Sequence, residues 1–438
     1  MFWNRKKKEI HEQTAADNTP DRLIPAKESE GSEKKLSLLF LKRLIPISGL
    51  PDEELQQLKA IISHFEPGDI IFNRGEMSDS LSYIIKGKCY VEASNGSGYE
   101  VDASTFKACY PLSGSSTYEC TAIARSDVSI VQFSRSVIIQ GNFSSRNPLL
   151  NNEDIPEKLR DNVFLNSFCN HFKQGDLIIP SLPDVALKLR TAVQKEIGVQ
   201  EAVKIINFDP VISSKLIQVV NSPVYRTINP ITSCHDAVTM LGLTTTRNLV
   251  TSISMKNLFK SHNKELNNKI HILWKQSIRV SSISYTLAVQ SKKINPDEAL
   301  LAGLIYNIGA LPIIIFADSL DDDVYSSVDL NLCIRVLQGL IGNEILKKWG
   351  FPESLMQIPR ETENWFHNGG ENLELADVVI LAKFHSLLGT KQVKNLPPIN
   401  TLPAFQKLGD NSLTPELSLQ TLDDAKQQIS EAMSLFVA

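Results

Sequence analysis

The 438-residue sequence predicts a multidomain chain, a small all-β unit followed by a larger all-α unit. Three observations carry this. Between Glu66 and Phe133, short β-branched and aromatic runs alternate with glycine turns. From about Lys158 onward apolar residues recur at helical spacing, with no period-2 segment of useful length. Between the two, Asn147 to Pro156 is polar and ends in proline, as a linker does. The length also exceeds what one ordinary core holds.

In chain order, residues 1–35 are polar and charged and are expected to be a flexible leader. Leu36 to Leu58 carries helically spaced apolar residues broken at Gly49-Leu50-Pro51, and Pro51-Asp52-Glu53-Glu54 starts a helix with proline and acids in its first turn. After the turn Glu66-Pro67-Gly68-Asp69 come predicted strands at Ile70–Phe72, Leu81–Ile85, Cys89–Ala93, Cys120–Ala124 and Val128–Phe133. Asn95-Gly96-Ser97-Gly98 is a hairpin signal. Strands this short and this dense predict a small barrel or jelly roll. Helices are predicted at Pro183–Val193, Val199–Ile206, Val211–Val220, Ser233–Leu241, Thr244–Phe259, Lys269–Gln290, Asp297–Ala317 and Leu330–Trp349, with Asp209-Pro210 opening one and Gly242 closing another. The expected units are a leader at 1–35, a β unit at 36–145, a linker at 146–160, a helical unit at 161–400, and a loop with a helix from about Asp423 at 401–438.

The net charge of −4 argues against a broad nucleic-acid surface. The six cysteines are scattered without a C-x-x-C pair, which fits buried thiols in a reducing cytoplasm. Met1-Phe2-Trp3-Asn4-Arg5-Lys6-Lys7-Lys8 lacks the apolar stretch of a secretory signal, and no run of about 18 apolar residues stands out, so no stable membrane insertion is expected.

Phe65-Glu66-Pro67-Gly68-Asp69-Ile70-Ile71-Phe72, Gly75, Ser80, Tyr83 and Ile84-Ile85-Lys86-Gly87 resemble the cyclic-nucleotide-binding domain family over roughly residues 40–140. The resemblance implies a β-roll flanked by helices. It also implies a ligand cassette of the form Phe-Gly-Glu, then an arginine about ten residues later. The glutamate accepts from a ribose hydroxyl and the arginine pairs with the cyclic phosphate. Here the cassette reads Phe106-Lys107-Ala108 and then Tyr118-Glu119-Cys120. Ala108 stands at the glutamate position and Tyr118 at the arginine position. Losing that arginine would cost on the order of 2–4 kcal/mol, so ordinary cyclic mononucleotides are not expected to bind. Phe106, Tyr110 and Tyr118 are expected to fill the emptied pocket, with Lys107 and Arg125 as the alternative sources of positive charge.

The helical half resembles the HDOD family, a degenerate branch of the HD metal-dependent phosphohydrolases, over roughly residues 168–388. The resemblance rests on Ile179-Pro180-Ser181-Leu182-Pro183, on Asp209-Pro210 followed by Asn221-Ser222-Pro223-Val224-Tyr225, on Ala237 to Gly242, on Leu273-Trp274-Lys275-Gln276-Ser277, and on Glu298 to Ile305. An HD phosphohydrolase holds its metals with a His, a His-Asp pair and a late Asp. The resemblance places Gln276, Tyr306, Asn307 and Lys383 at those positions, so no metal, cofactor or catalysis is expected. Asn221, Ser222, Pro223 and Tyr225 are read first as a helix end with its turn, and second as a partner-recognition site. Asp321-Asp322-Asp323 is read as a solvated loop, and His235, His367 and His385 as structural histidines without ligand partners.

The resemblance implies a cytoplasmic bacterial signal-transduction adaptor in which a degenerate sensor domain regulates protein–protein contacts of the helical domain with other signalling proteins. The alternative is a ligand-gated regulator that binds a nucleotide second messenger through an altered pocket.

Overall fold

In the computed structural model, described residues are 32–34, 36–93, 98–136, 162–174, 182–222, 225, 230–259, 264–320, 325–388, 390, 392–393 and 396–408. The expected hairpin turn, the linker, the Asp321–Asp323 run, Pro223, most of the opening segment around Pro180 and the helix from Asp423 lie outside them, as does the leader apart from residues 32–34.

Among the described residues the β unit holds eight strands: β1 (Ser32–Lys34), β2 (Ala60–Phe65), β3 (Ile70–Phe72), β4 (Ser80–Lys86), β5 (Lys88–Glu92), β6 (Gly98–Asp102), β7 (Thr121–Ala124) and β8 (Val128–Ser134). They form two antiparallel four-stranded sheets ordered β1-β2-β8-β4 and β3-β7-β5-β6. Two short helices, α1 (Leu38–Leu41) and α2 (Asp52–Gln57), lie across the first sheet. Alternation along the strands explains why one sheet is buried on both faces. Ile84 and Ile130 point into the core between the sheets, whereas Leu81, Tyr83, Val131 and Phe133 point to Leu41, Leu44, Ile47 and Leu55 under the helices. Gly87 turns β4 into β5 with φ +83°, and a Cβ there would stand 2.1 Å from Asp127 O, so only glycine fits.

Two assignments need correction here. Residues 32–34, expected in the leader, pair as β1 with β2, Glu33 opposite Ile61, because the open edge of β2 offers unpaired backbone groups. β2 itself was missed within a stretch whose apolar residues suggested only helix and turn.

The helical unit comprises α3 (Val163–Gln174), α4 (Asp184–Gln194), α5 (Val199–Asn207), α6 (Pro210–Val220), α7 (Cys234–Met255), α8 (Lys264–Ser291), α9 (Pro296–Ile305), α10 (Ala310–Asp318), α11 (Ser327–Lys348), α12 (Glu353–Met356), α13 (Ile358–Glu361), α14 (Leu375–Leu387) and α15 (Pro403–Gln406). Asp209 caps α6 by accepting from the Val211 and Ile212 amides at 2.9 and 3.1 Å. Gly242 breaks α7 into two segments with φ 75°, ψ 165°, at the predicted boundary.

The segment Pro296–Asp318 is long and apolar enough to cross a membrane, with mean hydropathy 2.1, which amends the expectation that no such run is present. Its most apolar part is 94% buried inside the helical unit, and a turn at Tyr306–Gly309 divides it into α9 and α10. A helix apolar all round is the sign of a core position. The expected division at residue 400 is also corrected. Leu402, Ala404 and Phe405 are buried in the same core as α8, α9 and α14, so residues 401–408 belong to the helical unit.

Candidate functional site

Two places carry the residues singled out by sequence. In the helical unit, the turn after α9 and the middle of α14 bring Tyr306 and Lys383 together. The Lys383 ammonium donates to Thr362 O at 2.8 Å and to Glu363 Oε1 at 3.3 Å. It lies 5.2 Å from the Trp365 ring centre and 5.9 Å from that of Tyr306, within cation–π range. Glu363 is held in turn by Gln338 Nε2 at 3.1 Å. The Tyr306 hydroxyl is buried and its pKa is driven up by desolvation, with the Glu363 charge adding to the shift. Asn307, 2% exposed, accepts from Ser277 Oγ at 2.7 Å and donates to Leu273 O at 3.4 Å. Gln276 stands exposed on α8, outside this group.

This donor set does not fit a divalent ion. Metal ligation needs lone pairs from imidazole or carboxylate, and a lysine ammonium offers only N–H donors. Asn307 already uses its carbonyl on Ser277, and Glu363 is committed to Lys383 and Gln338. Among the described residues no group of three or more His, Cys, Asp or Glu is arranged to hold a metal. Sequence reasoning missed one neighbourhood. His367 Nε2 lies 3.7 Å from Glu374 and 4.0 Å from Glu361, carboxylates that sequence spacing does not reveal. His235 is exposed beside Asp236, and His385 is buried.

The second place is the cassette of the β unit. Tyr118 is 6% exposed and stacks on Phe72 with ring centres 3.8 Å apart. Tyr110 is buried as well. Phe106 does not fill the pocket: it is 48% exposed and meets Tyr110 edge-on at 5.4 Å, because the short helical turn Phe106–Cys109 points it outward while burying Ala108. Lys107 rides over the Tyr99 ring at 5.2 Å and Arg125 over Tyr90 at 5.1 Å. Glu119 is exposed.

The remaining signature residues are structural in their contacts. Asn221 Nδ2 donates to Ile217 O and Ile231 O, and its Oδ1 accepts from the Ile231 amide at 2.8 Å, tying the end of α6 to Ile231. The Tyr225 hydroxyl donates to Asp297 Oδ1 at 2.7 Å in the first turn of α9, and Ser222 is buried.

A strand-built roll and an all-helical unit joined in one chain define a two-domain protein. Residues 179–365 match the HDOD domain family, and residues 62–140 match the cyclic nucleotide-binding domain family, so the chain carries both domains. A solved Shewanella amazonensis SB2B protein, assigned by name only to the metal-dependent phosphohydrolases, is 28% identical, with a TM-score of 0.54 over 61% of this chain and 97% of that one. An HDOD domain protein of unknown function from Geobacter sulfurreducens is 17% identical, with a TM-score of 0.45 over 63% of this chain and 98% of that one. An uncharacterized protein of Treponema pallidum (strain Nichols) is 24% identical over 222 residues, 47% of this chain and 41% of that protein. The chain therefore spans less than half the length of this curated relative.

Proposed function

We propose that the protein is a non-catalytic cytoplasmic signal-transduction adaptor, in which the β-roll regulates the contacts of the HDOD domain with other signalling proteins. The observation that carries this reading is the Lys383 ammonium. It is fixed between Thr362 O, Glu363 and the rings of Tyr306 and Trp365, where the phosphohydrolase resemblance calls for an anionic metal ligand. A cation held there repels a second cation and supplies no hydroxide-generating metal.

The test is elemental analysis of the purified full-length protein, combined with assays of phosphomonoester and phosphodiester hydrolysis with added magnesium and manganese. No bound metal and no turnover above a denatured blank is the expected result. Metal-dependent phosphate release by the intact protein would overturn the reading.

A second reading, a regulator gated by a nucleotide second messenger, has Lys107 in its favour, a cation that lies within the cassette over Tyr99. Calorimetric titration with cyclic AMP, cyclic GMP and cyclic di-GMP separates the two. Micromolar binding of any of them would move the protein to the second reading.

A further inference from the structure

The segment Leu396–Leu408 has two faces. Leu396, Ile399, Leu402, Ala404 and Phe405 are buried in the helical core. The polar side chain between them, Asn400, points the other way, into the β-roll. Its Oδ1 accepts from the Tyr99 hydroxyl at 2.9 Å, and its Nδ2 donates to Leu112 O at 3.3 Å and approaches Cys120 Sγ at 3.7 Å. Tyr99 lies on β6, and Leu112 and Cys120 lie between the short turn at Phe106 and β7, the stretch that forms the cassette. The fit is tight on the adjoining loop as well. A Cβ at Gly114 would stand 2.4 Å from Thr401 O and 2.8 Å from Gln406 Nε2. A third contact lies alongside, where the Tyr110 ring stacks on Phe366 at 5.9 Å and 20°.

We infer that the cassette of the β-roll is a binding site for the chain's own Ile399–Gln406 segment, whose Asn400 carboxamide acts as a built-in ligand that latches the β-roll to the HDOD domain.

The chemistry fits a peptide turn better than a phosphate. Asn400 offers one acceptor to a hydroxyl and two donors to a carbonyl and a sulfur, and every partner is neutral. The cassette has exchanged its expected charged groups for Ala108 and Tyr118, and the carboxamide needs no counter-charge. Two physical links run from this latch to the Lys383 centre. Phe366 is next to Trp365, which faces Lys383, and Lys407 pairs at 2.9 Å with Asp377 on α14, the helix that carries Lys383. An external occupant of the cassette, or a partner that pulls on the segment, would have to displace Asn400 and so disturb both links. Such coupling needs only that the partner favour the open arrangement over the closed one.

This deepens the proposed regulatory reading and rests on it for the consequence of opening. Its test reads amide exchange rather than turnover, so either idea can fail alone. Hydrogen–deuterium exchange of the full chain is compared for wild type, Asn400→Ala and Gly114→Ala. The first variant removes the ligand group, and the second drives a methyl group against Thr401 without touching Asn400. Exchange about tenfold faster over residues 110–120 and 396–408 in both variants is expected, with rates over Val128–Ser134 and Pro296–Ile305 unchanged. Wild-type exchange over both segments in both variants would overturn the latch. So would acceleration spread equally over all four regions, which would mark the contact as a general part of the fold.

Discussion

The Lys407 ammonium and the Asp377 carboxylate form an ion pair at 2.9 Å with side chains 6% and 0% exposed, fastening the chain beyond the matched HDOD region onto α14. Asp377 also accepts from the Glu374 amide at 2.8 Å, closing the capping box that starts this helix. Burial pushes the Asp377 carboxyl up, against the opposing pull of that amide and of Lys407. A pair in such a setting contributes little net stability while intact, yet its loss on one side strands a charge in the core.

Lys407→Met is therefore expected to destabilise the protein by about 3–5 kcal/mol. The double variant Lys407→Met/Asp377→Asn should recover more than half of that loss. Urea midpoints of the two variants decide it, and a double variant no more stable than Lys407→Met would show that the charges do not depend on each other.

His385 gives a pH dependence with a definite sign. It is 5% exposed and its Nδ1 lacks a partner, and desolvation lowers its pKa from 6.5 to about 4. The folded state therefore holds the neutral ring, while the unfolded chain takes up a proton below pH about 6.5. Stability from this group is present above pH 6.5 and is lost as pH falls toward 4, amounting to about 2.5 kcal/mol by pH about 4.5. Replacing it by an aromatic ring that cannot take up a proton, His385→Phe, should flatten the fall in melting temperature between pH 6.5 and 4.5. An unchanged slope would place the acid sensitivity elsewhere.

The Ser277–Asn307 hydrogen bond of 2.7 Å lies between side chains 0% and 2% exposed. Ser277→Ala leaves the Asn307 carbonyl without this donor and should cost about 1–3 kcal/mol. Thermal melts of the full-length variant test this, and a loss below about 0.5 kcal/mol would mean that the amide finds another partner.

Gly303 is where α9 crosses α8 closely, since a Cβ there would stand 2.6 Å from Ser281 Cα and 2.8 Å from its amide nitrogen. Backbone atoms cannot rotate aside, so Gly303→Ala should cost about 1–3 kcal/mol despite the better helix propensity of alanine. A melting temperature at or above wild type would show that the two helices can separate freely.

Much of the fold was legible from pattern. Gly75, Gly87 and the alternation at Leu81–Ile85 pointed to a β-roll, and Asp209-Pro210 with Gly242 placed helix ends within a residue or two. The short strands were harder. β1 and β2 owe their state to pairing with distant β8 and with each other, a non-local effect that propensity does not carry. The candidate site was half legible. Sequence marked Tyr306, Asn307 and Lys383 as positions to examine, but Glu363, Trp365 and Thr362, which seat the Lys383 ammonium, come from a turn about 20 residues earlier that bears no motif. Phe106 was misjudged because an aromatic residue in a loop gives no sign of which way a short turn will aim it.

By itself the sequence determined what local chemistry can determine. It set the change of period from 2 to 3.6 and the turns that need glycine, and the resemblance it carries led to the expectation that Gln276, Tyr306, Asn307, Lys383, Ala108 and Tyr118 stand where imidazole, carboxylate and guanidinium would be. Only the tertiary structure decided that Asn400 meets Tyr99 across 301 residues, and that a segment read as a tail closes one domain while reaching into the other. The reason is physical. A carboxamide in a short loop is an ordinary solvated residue until Leu402 and Phe405 are buried on one side, and their burial fixes the direction in which Asn400 must point.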